Sequence, residues 1–279
     1  MIDRSISFFK MSGAGNDFIV IDNRDGSLPV KDIPGFVRGV CRRKMSAGAD
    51  GLILIENSDE TDFKWQFFNS DGSVAEMCGN GARCAARYAH LNGIAGPKMS
   101  FETIAGIIHA RVNPDTVTVK MTDPVDLKIN TTIPLKSGAA VVSIVNTGVP
   151  HVVITAADID AVDVRGLGRE IRFHPQFTPE GTNVNFIAPG KDGSYFIRTY
   201  ERGVEGETLA CGTGNVAAAI VIAETLAATS PVSLITRSGS RLRVYFQKDG
   251  AVYREMQLEG DARVIYQGEF WDDAWADIH

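Results

Sequence analysis

The second half of this chain repeats the first half at an offset of 133 residues. Aligning residues 15–106 with residues 148–239 without a gap gives 17 identities over 92 positions. That is about three times the chance expectation, and a fixed offset is the signature of an internal duplication. The chain is therefore predicted to contain two similar domains. Residues 1–122 form the first half, residues 123–261 the second, and residues 262–279 are expected to return to the first.

Each half is predicted to be an α+β domain. Runs rich in β-branched and aromatic residues indicate short strands, and amphipathic or Ala-rich stretches indicate helices between them. The natural arrangement is a curled, mostly antiparallel sheet around a central helix in each half. The active site is then expected in the cleft between the two pseudo-symmetric halves. The helices are predicted near Ile33–Arg43, Gly81–Asn92, Val162–Arg172 and Thr213–Ala228.

Composition and charge narrow the range of partners. The chain has 44% apolar and 22% charged residues, as globular proteins do, with a net charge of −6. That charge argues against a nucleic-acid or anionic-membrane surface, so a small molecule is the expected partner. No apolar run reaches the length of a membrane span, and the first residues lack a signal-peptide layout. A cytoplasmic location is therefore expected, and a homodimer is left open.

The four cysteines fall into two groups. They form no CxxC pair and have no histidine at zinc-ligand spacing, so no metal is expected. Cys41 lies in an apolar pattern and Cys84 lies inside a predicted helix, so both read as small buried residues. Cys78 and Cys211 occupy the same position in the two halves, before Gly-x-Gly and an Ala-rich helix.

A cysteine at a helix mouth combines two chemical properties. The first-turn N–H groups and the helix dipole lower the pKa of a thiol there, and they also bind anions. If the two halves face each other, two such thiols reach one small anion from opposite sides. One thiolate can then remove an α-proton while the other thiol returns a proton to the far face. One such turn could be a packing turn, but two in register favour stereochemical inversion. No cofactor fingerprint is present, so no cofactor is expected.

Six motifs carry a resemblance to a known family. They run from Phe8 to Gly214: FFKMSGAGNDFIVID, GADGLI, FFNSDGSVAEMCGNGARC, NTGVPHVV, EGTNVNF and YERGVEGETLACGTG. With these motifs, in this order, the chain resembles the diaminopimelate epimerases, isomerases of lysine and cell-wall precursor biosynthesis that work without pyridoxal phosphate. The resemblance implies conversion of LL-diaminopimelate to the meso isomer.

The resemblance also assigns roles to individual residues. It implies that the acid/base pair is Cys78 and Cys211, and that the reacting carboxylate is bound by Gly79, Asn80, Gly212 and Thr213. The residues implied to bind the rest of the substrate are Asn16, Asn69, Asn183, Glu201 and Arg202. His151 is implied to support the reacting centre as a charge partner, together with Glu201.

Several alternatives stay open at this stage. Asn16 and Asn69 lie in turn sequences and could be turn formers only, and His151 could be a core histidine. Val149 and Gly51 replace polar residues that many relatives carry. Another amino-acid racemase of the same fold, a thiol redox protein that cycles Cys78 and Cys211, and a small-ligand binder are the competing functions.

Overall fold

A computed structural model describes residues 5–26, 28–136 and 138–276. The chain forms two compact units. The first comprises the residues up to Val119 together with those from Asp261 onward, and the second comprises Lys120–Gly260. In these described ranges, no helix has the length and apolarity needed to cross a membrane.

The first unit begins with a hairpin and alternates strands with two helices. Its elements are β1 (Ile6–Gly13), β2 (Asn16–Asp22), α1 (Ile33–Val40), β3 (Gly51–Glu56), β4 (Phe63–Asn69), α2 (Gly79–Leu91), β5 (Lys98–Thr103), β6 (Gly106–Val112) and β7 (Val117–Lys120).

The second unit repeats this order with two added strands, a long one before the hairpin and a short one before the second helix. Its elements are β8 (Val125–Leu135), β9 (Gly138–Asn146), β10 (Pro150–Thr155), α3 (Val164–Arg172), β11 (Asn183–Pro189), β12 (Tyr195–Glu201), β13 (Gly206–Thr208), α4 (Gly212–Thr225), β14 (Val232–Ile235), β15 (Arg241–Asp249) and β16 (Val252–Gly260). A last strand, β17 (Arg263–Phe270), pairs antiparallel with β1 in the first unit.

Strand pairing is equivalent in the two units. The hairpins β1–β2 and β9–β10 are antiparallel. The next pairs, β2–β3 and β10–β11, are parallel and are connected by α1 and α3. The parallel pairs β4–β5 and β12–β14 are connected by α2 and α4. Parallel neighbours need such crossovers. The remaining pairs within the units are antiparallel, which confirms the predicted class of two mostly antiparallel α+β domains.

The register of the sheets corrects the ungapped sequence alignment. Phe18 pairs with Gly51 in the first unit, and His151 pairs with Asn183 in the second. Phe18 and His151 are 133 residues apart, whereas Gly51 and Asn183 are 132 apart. One residue has therefore been lost between β10 and β11 relative to the first unit, and the ungapped alignment is wrong for β3 and β4.

Helix ends differ from the sequence prediction at two places. The structure ends α1 at Val40, not at Arg43, because Arg43 turns away to pair with Asp17 and Asp50. It ends α4 at Thr225, and Ala227 then adopts a left-handed φ of 53° that a helix cannot contain. The two other predicted helices are confirmed within two residues.

The two long helices lie in the cores of their units. In α4 every residue from Gly214 to Ala223 is buried, and the helix contacts most strands of the second unit. A helix that is apolar on all sides must be surrounded by protein. Cys41 and Cys84 are buried in the first unit, as predicted, and burial raises the pKa of each thiol to about 12.

Candidate active site

Cys78 is the N-cap residue of α2. Its backbone is extended, with φ −145° and ψ 118°, and its carbonyl accepts the first helical hydrogen bond from the Ala82 N–H at 2.8 Å. The half-buried side chain makes no capping hydrogen bond to the first turn. The sulfur is therefore held at the helix mouth without blocking it.

Asn16 lies beside this turn. The β1–β2 hairpin reverses through Ala14 and Gly15, both at positive φ, and begins β2 at Asn16. The Asn16 Oδ1 atom lies 3.5 Å from Cys78 Sγ and 3.4 Å from Asn80 Nδ2. Its Nδ2 atom donates to Asp50 at 2.7 Å. Three of the predicted site residues thus meet at one point in the first unit.

Asp50, which accepts the hydrogen bond from Asn16, belongs to a network of charged side chains. Asp17 pairs with Lys10 at 2.7 Å and with Arg43 at 2.6 Å, and Arg43 also pairs with Asp50 at 2.8 Å. Burial alone would raise the pKa of Asp17, but the hydrogen bonds from Arg43 and Lys10 hold it at about 2. Asp17 therefore stays ionised near neutral pH.

Cys211 is the N-cap residue of α4 in the second unit. Its backbone is also extended, with φ −120° and ψ 116°, and its side chain makes no capping hydrogen bond. The sulfur lies 3.5 Å from Thr213 Oγ1. The Thr147 hydroxyl donates to the Thr213 carbonyl at 3.0 Å and ties the turn to the segment after β9. Cys211 is 7% exposed.

His151 lies deep in the second unit, on β10. Asn185 donates from Nδ2 to His151 Nδ1 at 3.1 Å and accepts at Oδ1 from the Thr199 hydroxyl at 3.0 Å. Burial, with repulsion from Arg202, lowers the pKa of His151 to about 3. The ring is therefore neutral near pH 7, which does not favour the predicted role as a charge partner, and that role stays a prediction. Any support it gives comes through hydrogen bonds.

Three further predicted residues cluster at the ends of β11 and β12. Asn183 Oδ1 accepts from the Arg202 backbone N–H at 2.8 Å, and its Nδ2 donates to the Pro150 carbonyl at 3.3 Å. The Arg202 guanidinium donates to the Glu180 carbonyl at 3.3 Å. Burial raises the pKa of Glu201. These contacts fix the backbone around Arg202 and keep a carboxyl group beside it.

Asn69 makes its side-chain hydrogen bond within its own turn. It ends β4, and its side chain donates to the Ser73 hydroxyl at 3.0 Å within the following turn. Gly51, opposite Asn69 in the sheet, has no room for a side chain. A Cβ there would lie 2.6 Å from the Phe68 carbonyl oxygen and 2.7 Å from the Phe67 ring.

Sequence reasoning missed several residues that hold the two turns. Asn185 was detectable, because it alternates with Asn183 along one strand and so shares its face. Arg83 lies three positions after Asn80, on the same side of α2, and its burial had no sequence signal. The others missed are Asp50, Thr147 and Thr199. Within the residues that the structure describes, no group of three potential ligands could hold a metal ion.

Comparison with known proteins gives a consistent family. The family model described as diaminopimelate epimerase matches residues 8–127 and 143–263. The chain is 48% identical to a diaminopimelate epimerase of Aquifex aeolicus, over 96% of this chain and 99% of that one. It is 46% identical to one of Hydrogenobaculum sp., over 93% and 96% of the two chains. A Methanocella arvoryzae relative is 41% identical, over 95% and 96%.

Solved structures extend the likeness to the fold. A phenazine biosynthesis protein of the PhzF family from Bacillus anthracis has a TM-score of 0.73 at 14% identity, covering 96% of this chain and all of that one. A hydroxyproline epimerase from Agrobacterium vitis has a TM-score of 0.66 at 16% identity, covering 99% and 98%. The family model spans both halves, and the three diaminopimelate epimerases named above are more than 40% identical to this chain over almost its whole length. The resemblance carried by the six motifs is thus confirmed, and the chain belongs to the diaminopimelate epimerase family.

Proposed function

We propose that the protein inverts one α-carbon of LL-diaminopimelate to give the meso isomer, with Cys78 and Cys211 as acid and base. Family membership supports the substrate and the reaction. The observation that carries the mechanism is the repeated turn, in which a cysteine caps a central helix once in each unit. A chain that needed one reactive thiol would have no use for the second.

The chemistry explains why two thiols are needed. One cysteine, as thiolate, takes the α-proton and becomes a thiol, and the electron pair of the broken C–H bond passes into the carboxylate group. The other cysteine, as thiol, donates its proton to the opposite face and becomes a thiolate. The net change is inversion, with no oxidant or reductant consumed. A single base tends to return the proton to the face it left.

The helix mouths suit the substrate carboxylate. In α1 and α3, Asp32 and Asp163 accept hydrogen bonds from Gly35 and Gly166 in the first helical turn. In α2 and α4 the capping side chain is a thiol group that makes no such bond. A ligand carboxylate can therefore take the position that an aspartate takes in the other helices. The helix dipoles also stabilise the negative charge that develops in the transition state.

The polar residues at the ends of β11 and β12 suit the distal end of the substrate. A guanidinium binds a carboxylate through two parallel hydrogen bonds, which is the role proposed for Arg202. Glu201 would pair with the distal ammonium, and binding that cation would favour the charged form of a carboxyl whose pKa burial raises. Asn183 holds the Arg202 backbone in place, and Asn69 and Asn16 would complete the polar set.

The experiment is a short incubation with pure LL-diaminopimelate in deuterium oxide, followed by chiral separation and mass spectrometry. Product from the first turnovers should carry one α-deuterium, because the donating thiol has exchanged with solvent. Recovered substrate should remain largely unlabelled. Product that keeps the substrate's own proton would show a single base at work and would contradict the two-thiol mechanism.

A substrate panel and a chelator test separate the alternatives. Proline, hydroxyproline and lysine should be inverted far more slowly than LL-diaminopimelate, since they lack the distal amino-acid group that Glu201 and Arg202 would bind. Protein dialysed against a chelator should keep its full rate. A rate that disappears on dialysis and returns with added metal would contradict a mechanism based on the thiols alone.

A further inference from the structure

Arg83 is an unusual residue for the core of a small domain. It lies on α2, five residues after Cys78, and its side chain is completely buried. Its guanidinium donates to the Asp261 carbonyl at 3.1 Å, to the Gly79 carbonyl at 3.4 Å and to Asn80 Oδ1 at 2.8 Å. Among the described residues, no carboxylate forms an ion pair with it.

A buried charge without a carboxylate partner is costly. The effective penalty for burying one ion is several kcal/mol after relaxation, and apolar replacements of buried charges are often neutral or stabilising. The second unit shows that replacement, because its equivalent of Arg83 is the buried Val216. The fold therefore does not require a guanidinium at this position of the helix.

The hydrogen bonds of Arg83 fix the orientation of one amide. Arg83 can only donate, so the Asn80 amide must present its oxygen to the guanidinium. Its Nδ2 group then points the other way, where it donates to Asn16 Oδ1 at 3.4 Å. Gly13 makes room for this arrangement, because a Cβ there would lie 3.0 Å from the Asn80 carbonyl and 3.4 Å from the guanidinium.

The guanidinium also adds a positive charge behind the helix mouth. Burial lowers the pKa of Arg83, and attraction to Cys84, Asp261 and Cys78 opposes that shift. Cys84 is itself held neutral by its raised pKa. The Asp261 carboxylate accepts from the Ala14 N–H and pairs with Arg263, so its charge is shared with other partners. Asp50, on the far side of Asn16, is paired with Arg43.

We propose that Arg83 is a positioning residue for the first cysteine turn, which orients the Asn80 amide toward the substrate and favours the thiolate form of Cys78. This inference rests on the proposed function for its substrate, but its effect on Cys78 can be tested without substrate. It gives the two cysteines unequal roles at rest, with Cys78 the thiolate and Cys211 the thiol.

The test compares Arg83→Met, Arg83→Lys and Arg87→Met. Arg83→Met keeps an unbranched stem and removes the guanidinium with its charge. Arg83→Lys keeps the charge and loses the three-way fork. Arg87→Met removes a charge one turn further along the same helix. Each reduced protein is treated with iodoacetamide from pH 6 to 9, and alkylation of Cys78 and Cys211 is followed by peptide mass spectrometry. Steady-state kinetics with LL-diaminopimelate give kcat and KM separately.

Arg83→Met should slow alkylation of Cys78 near pH 7 by about tenfold, since one neighbouring charge shifts a titration by about one pH unit or more. Cys211 should react as in the unmodified protein. KM should rise about tenfold, because the Asn80 amide is no longer fixed. Arg83→Lys should restore alkylation of Cys78 but keep the raised KM, and Arg87→Met should change neither.

Unchanged alkylation of Cys78 in Arg83→Met, or an equal loss at Cys211, would overturn the proposal. If Arg83→Met does not fold, Arg83→Lys decides: a raised KM with normal Cys78 alkylation supports the proposal, and an unchanged KM overturns it. If the unmodified protein fails to invert LL-diaminopimelate, the proposed function fails, while the alkylation rates still test the role of Arg83.

Discussion

The two cysteine turns share a backbone but differ in what surrounds the sulfur. In the first unit, Cys78 lies next to the Asn16 amide. Asn16 is hydrogen-bonded to Asp50, and Asn80 in the same turn is hydrogen-bonded to Arg83. In the second unit, Cys211 lies next to the Thr213 hydroxyl, and the buried histidine nearby is neutral. Duplication has kept the helix mouth and the thiol, and the surroundings have diverged.

This difference separates the features of the turn that both units share from those that differ between them. Both units need a backbone that presents first-turn N–H groups, which explains why Gly79 and Gly212 have not diverged. Neither sulfur needs the same neighbour, because the residue aligned with Asn16 is Val149 and the residue aligned with Arg83 is Val216. A two-base reaction calls for this inequality, since it starts with one thiolate and one thiol.

The largest expected effect is loss of either sulfur. Cys78→Ala and Cys211→Ala should each lower kcat for inversion by about 10³-fold or more, because each removes one of two obligatory proton-transfer groups. Following α-proton exchange in deuterium oxide for each isomer separately shows which isomer each remaining thiol deprotonates. Each variant should exchange only the isomer that faces its remaining thiol.

The matched control is Cys41→Ala, which removes a thiol buried in the hydrophobic core of the first unit. It should keep its inversion rate. If Cys78→Ala and Cys211→Ala exchange the same isomer, the two turns do not serve opposite faces and the assignment of the pair is wrong.

The next largest effect is expected from adding a methyl group at the second glycine of each turn, because the space around that glycine differs between the two turns. A Cβ at Gly214 would overlap Asn185 Oδ1 and lie 3.3 Å from Cys211 Cβ, whereas a Cβ at Gly81 would meet Ile53 and Trp65 at 3.4 Å. Gly214→Ala should displace Asn185 and release His151. We expect kcat to fall about 10²-fold and the free energy of unfolding to fall by about 1–3 kcal/mol.

Gly81→Ala should be nearly neutral, since a contact at 3.4 Å is ordinary packing. Alanine also gains about 1 kcal/mol of helix propensity over glycine. Urea unfolding and steady-state kinetics on the two variants measure the comparison. Equal losses in both would show that the tight contact with Asn185 does not distinguish the second turn.

The sequence predicts the turns well and their surroundings poorly. Cys78 and Cys211 are recognisable because the Gly-x-Gly and Ala-rich context is local. The contact between β1 and β17 joins residues more than 250 positions apart, and most side chains of β17 are exposed, so no alternating pattern predicts that strand. Burial decides the charge of His151 and the position of Arg83, and burial follows from the assembled fold. The lost residue before Asn183 is visible only in the strand register.

A smaller effect appears in the pH dependence of stability. His151 has a pKa of about 3 in the folded protein and 6.5 as its ordinary value, so the unfolded chain binds a proton there first as pH falls. Its contribution to stability is therefore present above about pH 6.5 and is lost as pH falls toward 3. Between pH 7 and pH 5 the loss amounts to about 2 kcal/mol.

Urea unfolding of the unmodified protein and of His151→Gln at both pH values measures this loss. The unmodified protein should lose about 2 kcal/mol more than the variant between pH 7 and pH 5. Asp17→Asn provides the comparison in the first unit. The pKa of Asp17 is held at about 2, so its contribution is present above its ordinary 3.8 and is lost only below it. That variant should show the same change between pH 7 and pH 5 as the unmodified protein.

The smallest expected effect concerns the helices that are capped by aspartate. Asp32 accepts from the Gly35 N–H at 3.0 Å and Asp163 from the Gly166 N–H at 2.9 Å. Asp32→Ala and Asp163→Ala should each lower the free energy of unfolding by about 1 kcal/mol, the usual cost of losing an N-cap side chain. Neither should change kcat or KM, because these helix mouths are already filled by their own chain. The cysteine-capped helices should behave in the opposite way, losing activity with little loss of stability when the thiol is removed. If Asp32→Ala or Asp163→Ala lowered kcat as Cys78→Ala does, the distinction between helices capped for the fold and helices left open for a substrate would not hold.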